Sequence, residues 1–344
     1  MNDEKNKPLL VPLSDVQEKM AEWLVPGYMP RGQINIWAGD GGSGKTTAWC
    51  GLVAAISAGQ RVFFENDVPD DFIRDKPEKV IFFSSEDSLE CALKARLRKA
   101  GANMDNIYST SLKDERFSQI KFNSQLLKDL IREVRPALVV FDPLQAFIPP
   151  EIQMGQRNAM RNCLNPLIGL GEEYGTTFLI IVHTNKRQGT YGRNRIADSA
   201  DVWDIARSVM IVGQTQGKDI RYMSHEKCNY GELQSTALFT INDGVAEFKE
   251  YTDRRDADFV RERDFAAYQA PQRQDAEKFI IDYLKNGKQK TADLDEAAKA
   301  AGISKNTLGR AKTKLRERNI LGMKSVGYGQ DKAFYSFLIA NDFS

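Results

Sequence analysis

The chain has 344 residues, with 48 Lys and Arg against 47 Asp and Glu for a net charge of +1. That length suits one large domain and a small companion. With 42% hydrophobic and 28% charged residues it reads as globular and too apolar for a disordered chain. Apolar runs such as Phe178 to Val182, which no other run exceeds, are too short to cross a bilayer, and Met1 to Leu10 carries no apolar signal region. The four cysteines stand far apart without a Cys-x-x-Cys pair, so a cytoplasmic protein with free thiols and no membrane partner is expected.

In chain order, residues 1–16 read as a flexible N-terminus. Gln33 to Ala38 is a strand, followed by a glycine-rich loop and an apolar helix over Ala48 to Ser57. Lys79 to Ser84 is a second strand, and Leu89 to Ala100 an amphipathic helix ending at Gly101. Ser124 to Val134 is helical, Ala137 to Phe141 a buried strand, Arg157 to Tyr174 helical, and Thr177 to Val182 another buried strand. Continuous apolar strands alternating with helices predict an α/β fold whose largely parallel sheet is covered on both faces. Four shorter strands follow at hairpin spacing: Ser208 to Val212, Ile220 to Ser224, Ala237 to Ile241 and Ala246 to Glu250. Asn242-Asp243-Gly244 is a strong turn signal, and these strands predict an antiparallel extension of the sheet. The charged stretch 252–273 reads as a linker between a domain at 17–251 and a second at 274–344.

Gly39-Asp40-Gly41-Gly42-Ser43-Gly44-Lys45-Thr46 fits the phosphate-binding pattern G-x-x-x-x-G-K-[ST] between a strand and a helix. Glycine backbone N–H groups can wrap a phosphate, and the helix N-terminus adds positive potential. Lys45 is expected on the β- and γ-phosphates of ATP and Thr46 on Mg²⁺, with Thr47 completing the loop. Gly39, Gly41 and Gly44 also satisfy G-x-G-x-x-G, with Glu65 downstream. Lys45-Thr46 argues against that dinucleotide reading and leaves Glu65 an ordinary surface acid.

Hydrolysis needs a metal anchor, a group that primes water and charge stabilisation. Asp142 ends a buried strand at the ligand-binding edge of the sheet and fits the Mg²⁺ anchor; the alternative is a turn cap before Pro143. Glu86 follows the second strand at the same edge and fits the base. Asp87 is its neighbouring rival, or else caps the next helix. His183 ends a third strand within reach of a γ-phosphate, unless it is structural.

Residues 17–250 resemble the RecA-like ATPases, most closely the plasmid RepA-type hexameric helicases of mobile elements. The resemblance rests on Leu24-Val25-Pro26-Gly27-Tyr28-Met29-Pro30-Arg31-Gly32, the phosphate loop, Ser84-Ser85-Glu86-Asp87, Val140-Phe141-Asp142-Pro143 and His183-Thr184-Asn185-Lys186. It ends with Ala206-Arg207-Ser208-Val209 and Glu226-Lys227-Cys228-Asn229. It implies that Glu86 is the catalytic base and that His183 senses the γ-phosphate. It also implies that Arg207, assisted by Lys227, acts across a subunit interface. Asn229 stands where ring relatives with a Lys-x-Arg pair carry the Arg, so Arg207 is the favoured finger. A homo-oligomer, a hexameric ring, is then expected, because the finger comes from a neighbour. The loops after Asp142 (Gln145 to Gln156) and after His183 (Lys186 to Ala200) would face a central channel. There Lys186, Arg187, Arg193 and Arg195 would contact single-stranded DNA. By composition alone the second loop is equally a mobile surface loop.

Residues 272–344 hold 14 Lys and Arg against 9 Asp and Glu, leaving 34 against 38 in the rest. A basic tail on a slightly acidic body fits a module facing something anionic, or simply solvated lysines. Its pattern is a helix over Asp275 to Lys285, a second over Asp293 to Ala301, a third over Lys305 to Arg318, and strands Gly322 to Lys324 and Phe334 to Leu338. That order resembles a winged helix-turn-helix domain. Lys305, Arg310, Lys312 and Lys314 on the third helix would then meet a DNA major groove, unless the module docks protein. The resulting expectation is an ATP-hydrolysing DNA motor in replication or mobilisation of a plasmid, phage or integrative element. The rival is an ATP-switched DNA-binding regulator or partition-type protein without unwinding.

Overall fold

The computed structural model describes residues 10–70, 76–152, 157–185, 190–196, 200–217, 219–327 and 333–339. The chain divides into two compact units, Met1–Val260 and Arg261–Ser344. The first opens with a small antiparallel pair, β1 (Trp23–Val25) and β2 (Met29–Pro30). The phosphate loop lies between β3 (Ile34–Gly39) and α1 (Lys45–Ala58). Then come β4 (Val80–Ser84), α2 (Lys94–Lys99), β5 (Ile107–Tyr108), α3 (Gln125–Val134) and β6 (Leu138–Asp142). They are followed by α4 (Arg157–Tyr174), β7 (Thr177–His183) and α5 (Ala200–Ile205). A meander closes the unit: β8 (Ser208–Gln214), β9 (Arg221–Cys228), β10 (Thr236–Asn242) and β11 (Val245–Thr252).

Among the described residues, nine of these strands form one sheet in the order β11-β10-β9-β8-β3-β7-β6-β4-β5. The six from β8 to β5 are parallel, and β9 to β11 extend them antiparallel. The cause is visible in the strands: β3, β4 and β6 are buried along their whole length. Alternate residues therefore feed two cores. Ile34, Ile36, Phe141, Phe178 and Ile180 pack on one face. Trp37, Phe82, Val140, Leu179 and Ile181 pack on the other, against the buried helix α1. Asp243 and Gly244, with φ of 47° and 81°, close the β10–β11 hairpin between the paired residues Asn242 and Val245. Both left-handed residues are what a two-residue type I′ turn needs.

Two local expectations are corrected. Leu89 to Ala100 is not one α-helix: a π-helical turn, Leu89–Leu93, precedes α2. Ser88 caps that turn by accepting the N–H of Cys91 (3.2 Å), whereas Asp87 pairs with Arg96 (2.6 Å). Glu65 is no surface acid; it is fully buried, and its carboxylate accepts the N–H of Val62 at 2.6 Å.

His225 on β9 is also fully buried. Its Nδ1 accepts the N–H of Gln234 (3.1 Å), which leaves Nε2–H to face the Ser208 hydroxyl at 3.0 Å. Burial, followed by the Arg255 charge, lowers its pKa to about 4. The unfolded ring titrates near its ordinary value of about 6.5. Between these values the unfolded chain binds more protons, so stability is full above the upper one and falls as pH drops toward the lower. The loss approaches about 3 kcal/mol. Urea unfolding at about pH 7 and about pH 4.5 should show this slope in the wild type. His225→Gln should remove that part of it; an unchanged slope would refute the assignment.

The second unit receives the end of α6 (Asp256–Leu284), a helix that occupies most of the stretch read as a linker. It continues with β12 (Gln289–Lys290), α7 (Thr291–Ala300), α8 (Lys305–Glu317), β13 (Leu321–Val326) and β14 (Ala333–Leu338). These strands form a sheet in the order β12-β14-β13; the two-residue β12 carries no sequence signal. Ile280, Leu284, Leu294, Leu308, Leu315 and Leu321 make the core, and Ser304 caps α8 by accepting the N–H of Thr307 (3.2 Å). Among the described residues no helix is long and apolar enough to cross a membrane.

Candidate active site

The parallel strands end at one edge of the sheet, where Gly39 of β3 lies beside His183 of β7 and Ser84 of β4 beside Asp142 of β6. Because β7 separates β3 from β6, the phosphate loop and Asp142 stand two strands apart. A cleft of about 350 Å³ opens between them, lined by Lys45, Thr46 and Thr47 on one side and Glu86, Asp142 and His183 on the other.

The loop geometry follows from its glycines. Gly42 and Gly44 have φ of +75° and +97°, a region that side chains other than glycine rarely adopt. No described residue lies within 4 Å in front of Gly41 or Gly42, and a Cβ on Gly39 would strike the Val212 carbonyl oxygen. The Ser43 hydroxyl is buried without a hydrogen-bond partner among the described residues. Lys45, 6% exposed, donates to the carbonyls of Gly39 and Asp40, each at 2.8 Å. Burial lowers the pKa of its ammonium, and the nearby Asp142 opposes that shift. An open glycine cradle, an unsatisfied hydroxyl and a desolvated cation are what a polyphosphate can satisfy.

Asp142 is 4% exposed and accepts a hydrogen bond from Trp49 Nε1 at 2.8 Å. Burial raises its pKa, and the Trp49 bond and Lys45 work against that rise. Trp49 escapes sequence reasoning because an aromatic in an apolar helix reads as core. Glu86 Oε1 lies 3.3 Å from His183 Nε2, both side chains open to the cleft. The sequence-predicted cluster of Lys45, Thr46, Glu86, Asp142 and His183 therefore shares one cavity. Two further arginines line it, Arg96 and Arg221.

The other sequence-predicted residues lie elsewhere. Arg207 precedes β8 at the opposite edge of the sheet, its N–H on the Ile34 carbonyl (2.8 Å). Lys227 is not a free cation. Its Nζ donates to the carbonyls of Trp203, Asp204 and Ala206 at 2.9, 3.1 and 2.7 Å, satisfying the end of α5. The loop after Asp142 is not wholly a surface loop, since Phe147 and Ile148 are buried in the core. Lys186 and Arg187 lie outside the described residues. Arg193 pairs with Asp204 at 2.7 Å.

Arg195 corrects the expectation of a DNA contact, being 1% exposed. It donates to Asp40 of the phosphate loop (2.9 Å) and to Asp256 at the start of α6. In the second unit Lys305, Arg310 and Lys314 line one open groove along α8 with Asn306, Gly309 and Thr313. Lys312 does not join them; it sits beside the buried Leu308, Ala311 and Leu315 and pairs with Asp295.

A glycine loop opening a helix, a buried Asp on a non-adjacent strand and a carboxylate facing both define a P-loop nucleotide-hydrolase fold. Residues 4–189, more than half of the chain, match the AAA domain family (AAA_25). The chain belongs to that family. Among solved structures it is similar to a KaiC-like protein of the hyperthermophilic archaeon Pyrococcus horikoshii OT3. That likeness has 14% identity and a TM-score of 0.45, covering 67% of this chain and 99% of that one. It is also similar to a second solved structure, an ATPase domain, with 14% identity and a TM-score of 0.47, covering 63% of this chain and 85% of that one. No curated protein matches.

Proposed function

We propose that the chain is an ATP-hydrolysing motor that acts on DNA, a RepA-like ring helicase or translocase of a plasmid, phage or integrative element. The observation that carries the hydrolytic part is the Glu86–His183 pair, 3.3 Å apart, which shares one cleft with Asp142 and faces Lys45. Lys45 neutralises phosphate charge, and the loop N–H groups from Gly41 to Thr47 hold the phosphate oxygens. Thr46 and Asp142 would hold Mg²⁺, which when bound draws charge from the phosphate oxygens. Glu86 accepts the proton of the attacking water, and His183 contacts the terminal phosphate.

Arg207 sits at the sheet edge away from its own cleft, a placement that fits a contact with a neighbouring subunit, while Lys227 holds the backbone just before it. That supports a ring, with Arg207 as the finger and Lys227 bracing the backbone before it. In the second unit, helix, strand, helix, helix and hairpin follow the order of a winged helix. The α8 groove of Lys305, Arg310 and Lys314 supports a duplex contact there.

The test is the rate of ATP hydrolysis with and without single-stranded DNA, followed by strand displacement on a forked duplex. Stimulation by DNA that vanishes in Lys45→Ala, with displacement of the strand, is the expected result. Turnover indifferent to any nucleic acid would remove the motor, and stimulation without displacement would return the chain to the regulator class.

A further inference from the structure

The cleft contains a cation that the hydrolytic reading does not use. Arg221 is the first residue of β9, paired in register with Gln214 of β8 and Phe239 of β10. Its side chain lies against the start of α1. A Cβ on Gly44 would come within 2.9 Å of Arg221 Cδ, 3.1 Å of its Nε and 3.0 Å of Ile241 Cδ1.

Its contacts separate it from the other cations of the cleft. Arg96 is neutralised by Asp87 at 2.6 Å, and Lys45 is held by two carbonyls at 2.8 Å. Arg221 Nε is buried and has no hydrogen-bond partner among the described residues. Among the described residues its Nη1 reaches only the Asp219 carbonyl, at a long 3.5 Å. A guanidinium that faces a cleft with a desolvated, unsatisfied N–H calls for an anionic oxygen.

Topology says which part of the ligand it meets. In the order β9-β8-β3-β7-β6-β4, Arg221 comes from one side of the phosphate-loop strand. Asp142 and His183 end strands β6 and β7, and Glu86 follows β4, all on the other side. Arg221 therefore approaches the nucleotide away from the bond that the Glu86-primed water attacks, beside an apolar wall from Ile241.

We propose that Arg221 binds the nucleotide held by its own subunit, on phosphate oxygens that remain after hydrolysis. It is a binding residue for ATP and ADP alike, and it contributes to affinity rather than to the chemical step. This rests on the reading of the cleft as a nucleotide site.

The experiment is calorimetric titration of the full-length wild type, Arg221→Gln and Arg221→Lys with MgADP and with a magnesium complex of a non-hydrolysable ATP analogue. Steady-state hydrolysis is measured beside it. Arg221→Gln should weaken both ligands by about 10–100-fold, with kcat at saturation within about threefold of wild type. Arg221→Lys should recover part of the affinity, which a purely structural arginine would not predict. Affinities within about twofold of wild type for both ligands would overturn the proposal. So would a fall in kcat at unchanged affinity, which would make Arg221 a transition-state contact. Absence of binding by the wild type itself would instead overturn the reading of the cleft.

Discussion

Glu86→Gln is expected to lower the rate of ATP hydrolysis at saturation by about 10²–10⁴-fold, the range of general-base contributions. Affinity for the nucleotide should stay within about threefold. The substitution keeps size and shape, and an amide oxygen still accepts from the imidazole 3.3 Å away. What is lost is the ability to take a proton. The cleft also loses one negative charge beside Lys45 and Asp142, which favours an anionic ligand and argues against weaker binding. Asp87→Asn is the control, because the Asp87 carboxylate is committed to Arg96 at 2.6 Å and a small effect is expected. Single-turnover hydrolysis and equilibrium nucleotide binding on the same preparations separate the two terms. If Glu86→Gln retained a tenth or so of the wild-type rate while Asp87→Asn did not, the base would be Asp87.

How far the sequence speaks depends on the range of the interaction. The phosphate loop is legible because each residue answers a local backbone demand, such as the positive φ at Gly42 and Gly44. Asp142 and His183 are legible because an apolar run that stops at a polar residue marks a strand edge. Arg221 is invisible by the same logic, since only the β8–β9 register carries it back to a loop far earlier in the chain. Arg195 misleads for a related reason. A glycine-bearing loop with several cations reads as a phosphate tracker, yet the carboxylates that bury Arg195 are 155 residues before it and 61 after it. Lys312 errs at shorter range. Charge alone put it with Lys305 and Arg310, whereas Leu308, Ala311 and Leu315 define the inward face beside it.

Arg195→Met is expected to destabilise the first unit by about 3–5 kcal/mol, the cost of breaking a buried ion pair from one side. Asp256 is fully buried. It accepts hydrogen bonds from Arg195, from Tyr222 OH (2.8 Å) and from the Gly192 N–H (3.1 Å). Without the guanidinium its charge is left in a dry site. Asp256→Asn in the same chain removes that charge, so the double variant should be more stable than the sum of the single costs predicts. Equilibrium urea unfolding of the four proteins at one pH measures this coupling. Tyr222→Phe, which keeps the stacking on Phe259 (ring centroids 4.2 Å apart) and loses the hydrogen bond donated to Asp256 (2.8 Å) and the long one accepted from Arg195 (3.4 Å), serves if Arg195→Met does not fold. It should cost about 1 kcal/mol. The network has a functional corollary, because Arg195 also holds Asp40 and the Thr184 hydroxyl donates to the same carboxylate. The residue after Gly39 and the residue after His183 are thereby tied to the start of α6, so softening this knot should also loosen nucleotide binding. A true phosphate contact would behave differently: its loss would lower the slope of log affinity for DNA against log salt by about one and leave unfolding nearly unchanged. A flattened salt dependence with wild-type stability would therefore return Arg195 to the DNA-binding surface and dissolve the link between the phosphate loop and α6.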